Sequence, residues 1–260
     1  MPKQNYGYKM KHKKTWITNA HRGFVEGELK ENCLAAYYNA YLHGADIIET
    51  DARLSSDGVL IVNHDEDVKG FDENGNPVRF IVKDTPSDVI CSVILSKDEK
   101  WGVQKVPTLE QVLHLAYNTG MGVNIDLKNG LAIAESVAKL VLKCGMQGKV
   151  IYALNGAGMP AINAIIAIDP DACFDGHGVG FAEEMKDYPE RGKRCYCYTK
   201  DTNPETVNKI REYGCKLELI SLNAENFAAA IACHPDICEF LHTSDFRKIE
   251  DDYLNSVKLY

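Results

Sequence analysis

Residues 45–64 read ADIIETDARLSSDGVLIVNH, and the short gap inside this stretch decides the architecture. Two apolar, strand-like runs, 45–52 and 59–64, are separated only by Arg53 to Gly58. A parallel crossover needs a dozen or more residues, so these two runs must form an antiparallel hairpin. Taking Asp57-Gly58 as a two-residue turn pairs Ser56 with Val59 and places Asp51 opposite His64. Glu49 then shares the face of Asp51, two residues down the strand.

Working outward, further strand-like runs lie near 16–21, 122–128, 149–155, 172–177, 194–199, 216–222 and 238–245. With the hairpin pair this makes nine. Removing the second hairpin arm leaves eight helix-linked strands, which predicts an α/β fold, a (β/α)8 TIM barrel with a hairpin in place of the crossover after strand 2. The helices between them follow a 3.6-residue period. Leu34, Tyr37, Tyr38, Tyr41 and Leu42 mark one that stops at Gly44. Thr108 to Gln111 reads as a capping box opening a second, with Leu109, Val112, Leu113, Ala116 and Tyr117 inward and Gly120 ending it. Ile133, Val137, Leu140 and Val141 mark a third before Gly145. Pro204, Val207 and Ile210 mark a fourth before Gly214, and the last runs from about Asn223 through Phe227 and Ile231. Residues 66–106 break the alternation and are predicted to form an insertion, a small helical cap beside the site, within a single catalytic domain spanning 15–260.

At 260 residues and 45% hydrophobic content the chain can bury one barrel-sized core. A net charge of -8 argues against nucleic acid as partner. Residues 1–14 form a basic tail, read as solvated rather than as an anionic-surface anchor, and no apolar stretch suggests a signal peptide or an integral membrane segment. Nine cysteines without metal-type spacing fit reduced, mostly buried thiols and a cytoplasmic protein. Cys195 and Cys197, two apart in a strand, share a face and are read as core.

The motifs that carry chemistry sit where strands end: His21-Arg22-Gly23, Glu49-Thr50-Asp51, His64-Asp65 and Asp126-Leu127-Lys128. In a barrel of this kind the C-terminal strand ends form the active face. Glu49 and Asp51 can converge with Asp126 on one hard cation, Ca²⁺ or Mg²⁺. Acidic residues paired only with surface lysines are the plainer alternative. Two histidines bracketing three carboxylates suit an acid/base pair better than zinc ligation, although a lone strand-end histidine is more often structural. Arg22 and Lys128 either neutralise those carboxylates or bind a phosphate. His177 is as readily loop structure as pocket lining, and Asn32 would cap the first helix or orient a ligand. His12, His43, His114, His234 and His242 carry no functional assignment.

These residues resemble the glycerophosphodiester phosphodiesterases of the phospholipase C-like phosphodiesterase superfamily. The resemblance runs through Ala20-His21-Arg22-Gly23, Glu31-Asn32, Gly44-Ala45-Asp46, Glu49-Thr50-Asp51, Asp57-Gly58, His64-Asp65, Pro107-Thr108-Leu109-Glu110, Asn124-Ile125-Asp126-Leu127-Lys128 and Thr243-Ser244-Asp245. It implies His21 and His64 as catalytic acid and base, Glu49, Asp51 and Asp126 as ligands of a divalent metal, and Arg22 and Lys128 as substrate-binding residues for the phosphate. It also implies a helical insertion after His64-Asp65. The chain departs from the family pattern at Asp126 (usually Glu), at Lys30 (usually Pro) and at Glu218-Leu219-Ile220-Ser221-Leu222-Asn223, where a tryptophan-containing motif is usual.

The expected reaction is metal-dependent hydrolysis of a small-molecule glycerophosphodiester to glycerol 3-phosphate and an alcohol through a cyclic phosphate, a step of glycerol and lipid metabolism. Two rival classes are a metal-dependent barrel isomerase or lyase and a non-catalytic phosphodiester-binding protein. Arg22 and Lys128 beside the acidic cluster disfavour the first, and retention of both histidines disfavours the second. A homo-oligomer stays open.

Overall fold

The computed structural model describes residues 14–188, 192 and 194–257. All of the basic tail except Lys14 lies outside the described residues, and Lys14 itself is anchored 2.7 Å from Asp46. Strands β1 (Ile17–Ala20), β2 (Ile47–Leu54) and β3 (Leu60–Val62) come first. An inserted sheet follows, with β4 (Asp67–Phe71), β5 (Pro77–Ile81), β6 (Ile94–Asp98) and β7 (Gly102–Lys105). The chain then runs through β8 (Gly122–Leu127), β9 (Val150–Ala153), β10 (Cys173–His177), β11 (Cys195–Thr199), β12 (Lys216–Leu222) and β13 (Ile237–Phe240). The main sheet runs β1-β13-β12-β11-β10-β9-β8-β2, all parallel, and closes because β1 also pairs with β2. β3 hangs on β2 as the antiparallel hairpin arm. The TIM barrel read from residues 45–64 is the observed fold.

Helices Leu34–Leu42, Leu131–Lys143, Gly158–Ile166, Gly178–Met185, Pro204–Glu212, Phe227–Ala232 and Phe246–Ser256 each follow a barrel strand, Leu109–Thr119 follows the inserted sheet, and all pack outside the wall. The capping box at Thr108 is present in full, Gln111 Oε1 accepting from Thr108 N at 2.9 Å and Thr108 Oγ1 from Gln111 N at 3.3 Å. Tyr117, expected inward, is exposed instead and lies under Lys149, 5.9 Å from its ring. The helix expected from Asn223 begins at Phe227, because Asn223 and Asn226 tie up each other's backbone in a turn. The strand expected over 238–245 ends at Phe240, and Asp245 caps the final helix by accepting from Lys248 N.

The hairpin register differs by one residue from the expectation. Ala52 pairs with Val62 and Leu54 with Leu60, so Asp51 faces Asn63, whose N donates to Asp51 O at 3.1 Å. The turn is a three-residue loop in which Gly58 alone takes positive φ, at 81°, the geometry of a type I turn closed by a left-handed residue. The inserted segment also departs from the helical cap. It is a four-stranded antiparallel sheet, β5-β4-β6-β7, with one short helix, Ser87–Ser92, and a small core of Ile61, Val68, Val82, Ile90, Val93 and Val106. Asp57 in the hairpin loop accepts from both N and Oγ of Ser87, which pins the insertion to the barrel.

Inside the barrel, Ile17, Ile47, Ile151, Tyr196 and Ile237 form an apolar plug at one end. Two residues further along the strands the interior turns polar. Asn19 on β1 reaches Glu218 on β12 at 3.1 Å, and Asn124 on β8 reaches Asp175 on β10 at 3.3 Å, each skipping the strand between. Side chains two strands apart meet this way only across the barrel interior. The site is built on this polar layer.

Candidate active site

The site begins with backbone geometry at the end of β1. Gly23 takes φ 90°, and a Cβ there would stand 2.7 Å from the Ala36 carbonyl carbon, so only glycine lets the loop pass against the first helix. Arg22, itself at φ 54°, thereby turns inward: its N donates to Glu49 Oε2 at 3.0 Å. Its guanidinium lies 2.9 Å from Glu31 Oε1 and 3.3 Å from Asp51 Oδ2. On the other side Lys128 Nζ sits 2.6 Å from Asp126 Oδ2 and 3.0 Å from Asp51 Oδ1. Both cations are therefore paired with carboxylates, as the plainer reading of them expected.

Glu49, Asp51 and Asp126 each present a carboxylate oxygen such that the set lies within 4.8 Å of one another. β2 and β8 are in register here, with Asp51 beside Asp126, which is why three residues on two strands converge. The charges are unevenly tolerated. Burial, then Asp51, Glu239 and Asp126, hold the Glu49 carboxyl well above the usual carboxylate range. Burial alone would raise Asp51 too, but Lys128, Arg22 and the Asn32 amide hold it below that range. Asp126 is raised, chiefly by burial, and its Oδ1 has no partner among the described residues. Three hard oxygen donors with a spare buried lone pair fit a divalent cation of the Ca²⁺ or Mg²⁺ kind.

His21 lies beside this triad, its pKa pushed down to about 3 by burial and then by the adjacent Arg22, with Asp51 opposing. It is neutral at ordinary pH. His64 is half-exposed, with Nδ1 2.8 Å from Asp65 Oδ1. His64 is near enough to contribute, as a minor cause, to the downward electrostatic influence on both His21 and Asp126. The His64 carbonyl is clamped by Arg53, Nε at 3.1 Å and Nη2 at 2.7 Å. Asn32 is not a helix cap. That position belongs to Cys33, while Asn32 Nδ2 donates to Asp51 Oδ2 at 2.7 Å. His177 is exposed and stacks edge-on with Tyr198, ring centroids 5.2 Å apart, outside the cavity lining.

A cavity of about 120 Å³ descends from His21, Glu49 and Asp126 between Asn124, Asn155, Asp175, Tyr198 and Glu239. Asp175, Glu218 and Glu239 were not among the residues singled out for chemistry. Burial, then mutual repulsion, keeps Asp175 and Glu239 well above the carboxylate range. Glu218 adds to the upward push on Asp175, and each of the two carboxyls keeps one buried oxygen without a hydrogen-bond partner among the described residues, so a single proton shared by the pair would serve both. Their signal in the sequence is a charged residue in the middle of an apolar strand, as in Ile237-Cys238-Glu239-Phe240, which in a barrel points to the interior. Among the described residues no helix is long and apolar enough to cross a membrane, and all nine cysteines are free thiols, Cys195 and Cys197 buried in the core.

The model of the glycerophosphoryl diester phosphodiesterase family matches residues 21–173, from His21 through β9 to the first residue of β10. Among curated proteins the chain is 35% identical over 126 residues to a glycerophosphodiester phosphodiesterase of Caldanaerobacter subterraneus, covering 48% of this chain and 50% of that protein. It is 36% identical over 115 residues to one of Bacillus altitudinis, covering 43% and 45%. The chain thus spans about half the length of the curated relatives it matches. Among solved structures it resembles a phosphodiesterase of Oleispira antarctica in complex with the product sn-glycerol-3-phosphate, at TM-score 0.71 and 19% identity over 91% of this chain and 96% of that one. A glycerophosphoryl diester phosphodiesterase from Silicibacter pomeroyi superposes at TM-score 0.76 and 16% identity, over 93% and 95%.

Proposed function

Because the chain belongs to the glycerophosphoryl diester phosphodiesterase family, we propose that it hydrolyses a glycerophosphodiester to glycerol 3-phosphate and an alcohol. The observation that carries this reading is the convergence of Glu49, Asp51 and Asp126 beside a neutral histidine, with Arg22 and Lys128 flanking them. Glu49, Asp51 and Asp126 would hold a divalent cation, Ca²⁺ or Mg²⁺, which when bound supplies positive charge to a phosphate oxygen and orients the glycerol 2-hydroxyl.

The residues divide the remaining work. Arg22 and Lys128 present N–H donors at the rim, where the negative charge of the phosphoryl group grows as the bond to the alcohol breaks. His21, held neutral, takes the proton of the glycerol 2-hydroxyl as its oxygen attacks phosphorus. His64, steadied by Asp65 and by the Arg53 clamp on its carbonyl, gives a proton to the departing alcohol oxygen. Water then adds to the cyclic phosphate with the two histidines exchanging roles, and the 2-oxygen recovers its proton. Among the described residues no serine, threonine or cysteine lines the cavity to serve as nucleophile instead.

The test is a chelation and reconstitution assay. Purified protein stripped with EDTA and supplied with Ca²⁺ or Mg²⁺ is presented with glycerophosphocholine, glycerophosphoethanolamine, glycerophosphoinositol and glycerophosphoglycerol, and released glycerol 3-phosphate is measured enzymatically. The expected result is release only in the reconstituted samples. Full turnover with metal content shown to be negligible overturns the ligand assignment, and no release from any of the four overturns the activity.

A further inference from the structure

Away from the barrel mouth, on the outer wall, a second set of ligating atoms converges. Glu110 and His114 stand four residues apart on helix Leu109–Thr119 and so share one face. Cys144 follows directly on helix Leu131–Lys143. The two helices meet at this point: Lys143 Nζ reaches Glu110 Oε1 at 2.7 Å, and a Cβ at Gly145 would stand 3.8 Å from the Tyr117 ring. Thiol sulfur, imidazole nitrogen and carboxylate oxygen all lie within 4.8 Å of one another.

We propose that Glu110, His114 and Cys144 form a site for a thiophilic divalent cation of the zinc class, joining two helices of the outer wall and unrelated to the oxygen-only triad inside the barrel. The donor set decides the ion. A sulfur and an imidazole select zinc-like metals, whereas Glu49, Asp51 and Asp126 offer only hard oxygens. Tetrahedral zinc with ligand bonds of about 2.0–2.3 Å sets its donors roughly 3.6 Å apart, so the 4.8 Å envelope closes with a contraction of the order of 1 Å. Glu110 and His114 are surface side chains and can supply it by rotation, while Cys144, 9% exposed, is fixed in the core edge and sets the position of the ion. Lys143, with its side chain 67% exposed, leaves Glu110 without disturbing packing. Three protein donors leave the fourth position to water.

Binding releases the Cys144 proton to solvent, since the thiol, raised by burial and by Glu110, is the resting form and the thiolate is the ligand. Glu110 and His114 come from one helix and Cys144 from the end of another far along the chain, which hides the site from any reading of cysteine spacing.

The test uses Co²⁺ as a coloured stand-in for Zn²⁺, added to the intact protein with its hard site first saturated with Ca²⁺. The triad contains no sulfur, so a thiolate-to-cobalt charge-transfer band reports only on cysteine coordination. The expected result is such a band at one equivalent, bleached by Zn²⁺ and absent in Cys144→Ser. Absence of the band in the parent protein, or its persistence in Cys144→Ser, overturns the proposal. Because Cys144 is buried, the exposed His114→Ala provides the second measurement. It should melt like the parent without metal and lose the Zn²⁺-induced rise in melting temperature, and an undiminished rise overturns the assignment.

Discussion

Asn32 Nδ2 donates a 2.7 Å hydrogen bond to Asp51 Oδ2, while Asn32 Oδ1 accepts one of 2.7 Å from the buried Tyr37 hydroxyl. The carboxylate is thus oriented from a helix core rather than from the rim, and Asn32 would act as the positioning partner of Asp51 in its proposed role as metal ligand. Loss of such a partner typically costs ~10- to 100-fold in metal affinity. Asn32→Gly, which keeps the positive φ of 55° without strain, should weaken Ca²⁺ or Mg²⁺ binding by that order in calorimetric titration. Unchanged affinity would mean that Asp51 is oriented without Asn32.

One substitution can separate the observed pairing of Lys128 with Asp51 and Asp126 from its proposed role at the phosphate. In Lys128→Met the ammonium that bridges Asp51 and Asp126 is gone, so the metal-free protein should melt lower and gain more from added cation than the wild type does. At saturating cation its kcat should still fall about 10²- to 10³-fold, the usual loss for one donor aimed at developing oxyanion charge. Wild-type kcat with cation restored would reduce Lys128 to a counterion.

The neutral state of His21 links stability to pH. The unfolded chain takes up this proton at about 6.5 and the folded chain at about 3, so between those values the unfolded state binds more protons. The contribution is complete above pH 6.5 and is lost as pH falls toward 3. Urea midpoints measured on either side of pH 6.5 should therefore drop more on acidification in the wild type than in His21→Asn. Parallel drops would show that His21 titrates freely in the fold.

Two glycines with left-handed backbone should respond differently to alanine. Nothing stands within 4 Å of a Cβ at Gly58, so Gly58→Ala should cost only the backbone strain, about 1 kcal/mol. At Gly23 the added carbon meets Ala36 backbone at 2.7 Å, so Gly23→Ala must also displace the Arg22 loop. Denaturation should rank Gly23→Ala well above Gly58→Ala in cost, and activity should fall markedly only for Gly23→Ala. Equal effects would contradict the contact.

The cyclic route makes the substrate supply its own nucleophile, with the large effective molarity of an intramolecular attack. A glycerophosphodiester whose 2-hydroxyl is removed or methylated should compete for binding yet turn over orders of magnitude more slowly. Comparable turnover would point to direct attack by water, leaving the phosphodiesterase reading in place and removing the cyclic phosphate.

The barrel was legible because its decisive feature, a strand pair too close for a crossover, is a matter of chain length alone. The register differs by one because Asp57-Gly58 alone suggests a two-residue turn, whereas Ser55 Oγ accepts from Val59 N and opens a three-residue loop. The inserted sheet is hard to read because net polarity masks the period-two alternation of Val68 and Gly70, then Val78 and Phe80, with their neighbours. Helix Gly158–Ile166 is apolar nearly throughout, so it offers no polar face to reveal its period. The triad was legible as strand-tip residues. The buried layer of Asp175, Glu218 and Glu239 was not, because closure of the barrel alone brings residues from distant strands into one interior.

His64 is the first residue but one past β3, and the inserted sheet begins three residues later at Asp67. His21, by contrast, directly follows β1 of the closed wall, its N donating to Phe240 O at 3.1 Å. The two histidines assigned to proton transfer therefore belong to parts of the molecule that can be inherited separately. Exchange of 66–106 between relatives would remodel the surroundings of the leaving alcohol while the wall keeps its carboxylates and His21 untouched. Such chimeras make the hairpin root a natural splice point for redirecting this scaffold to new alcohols.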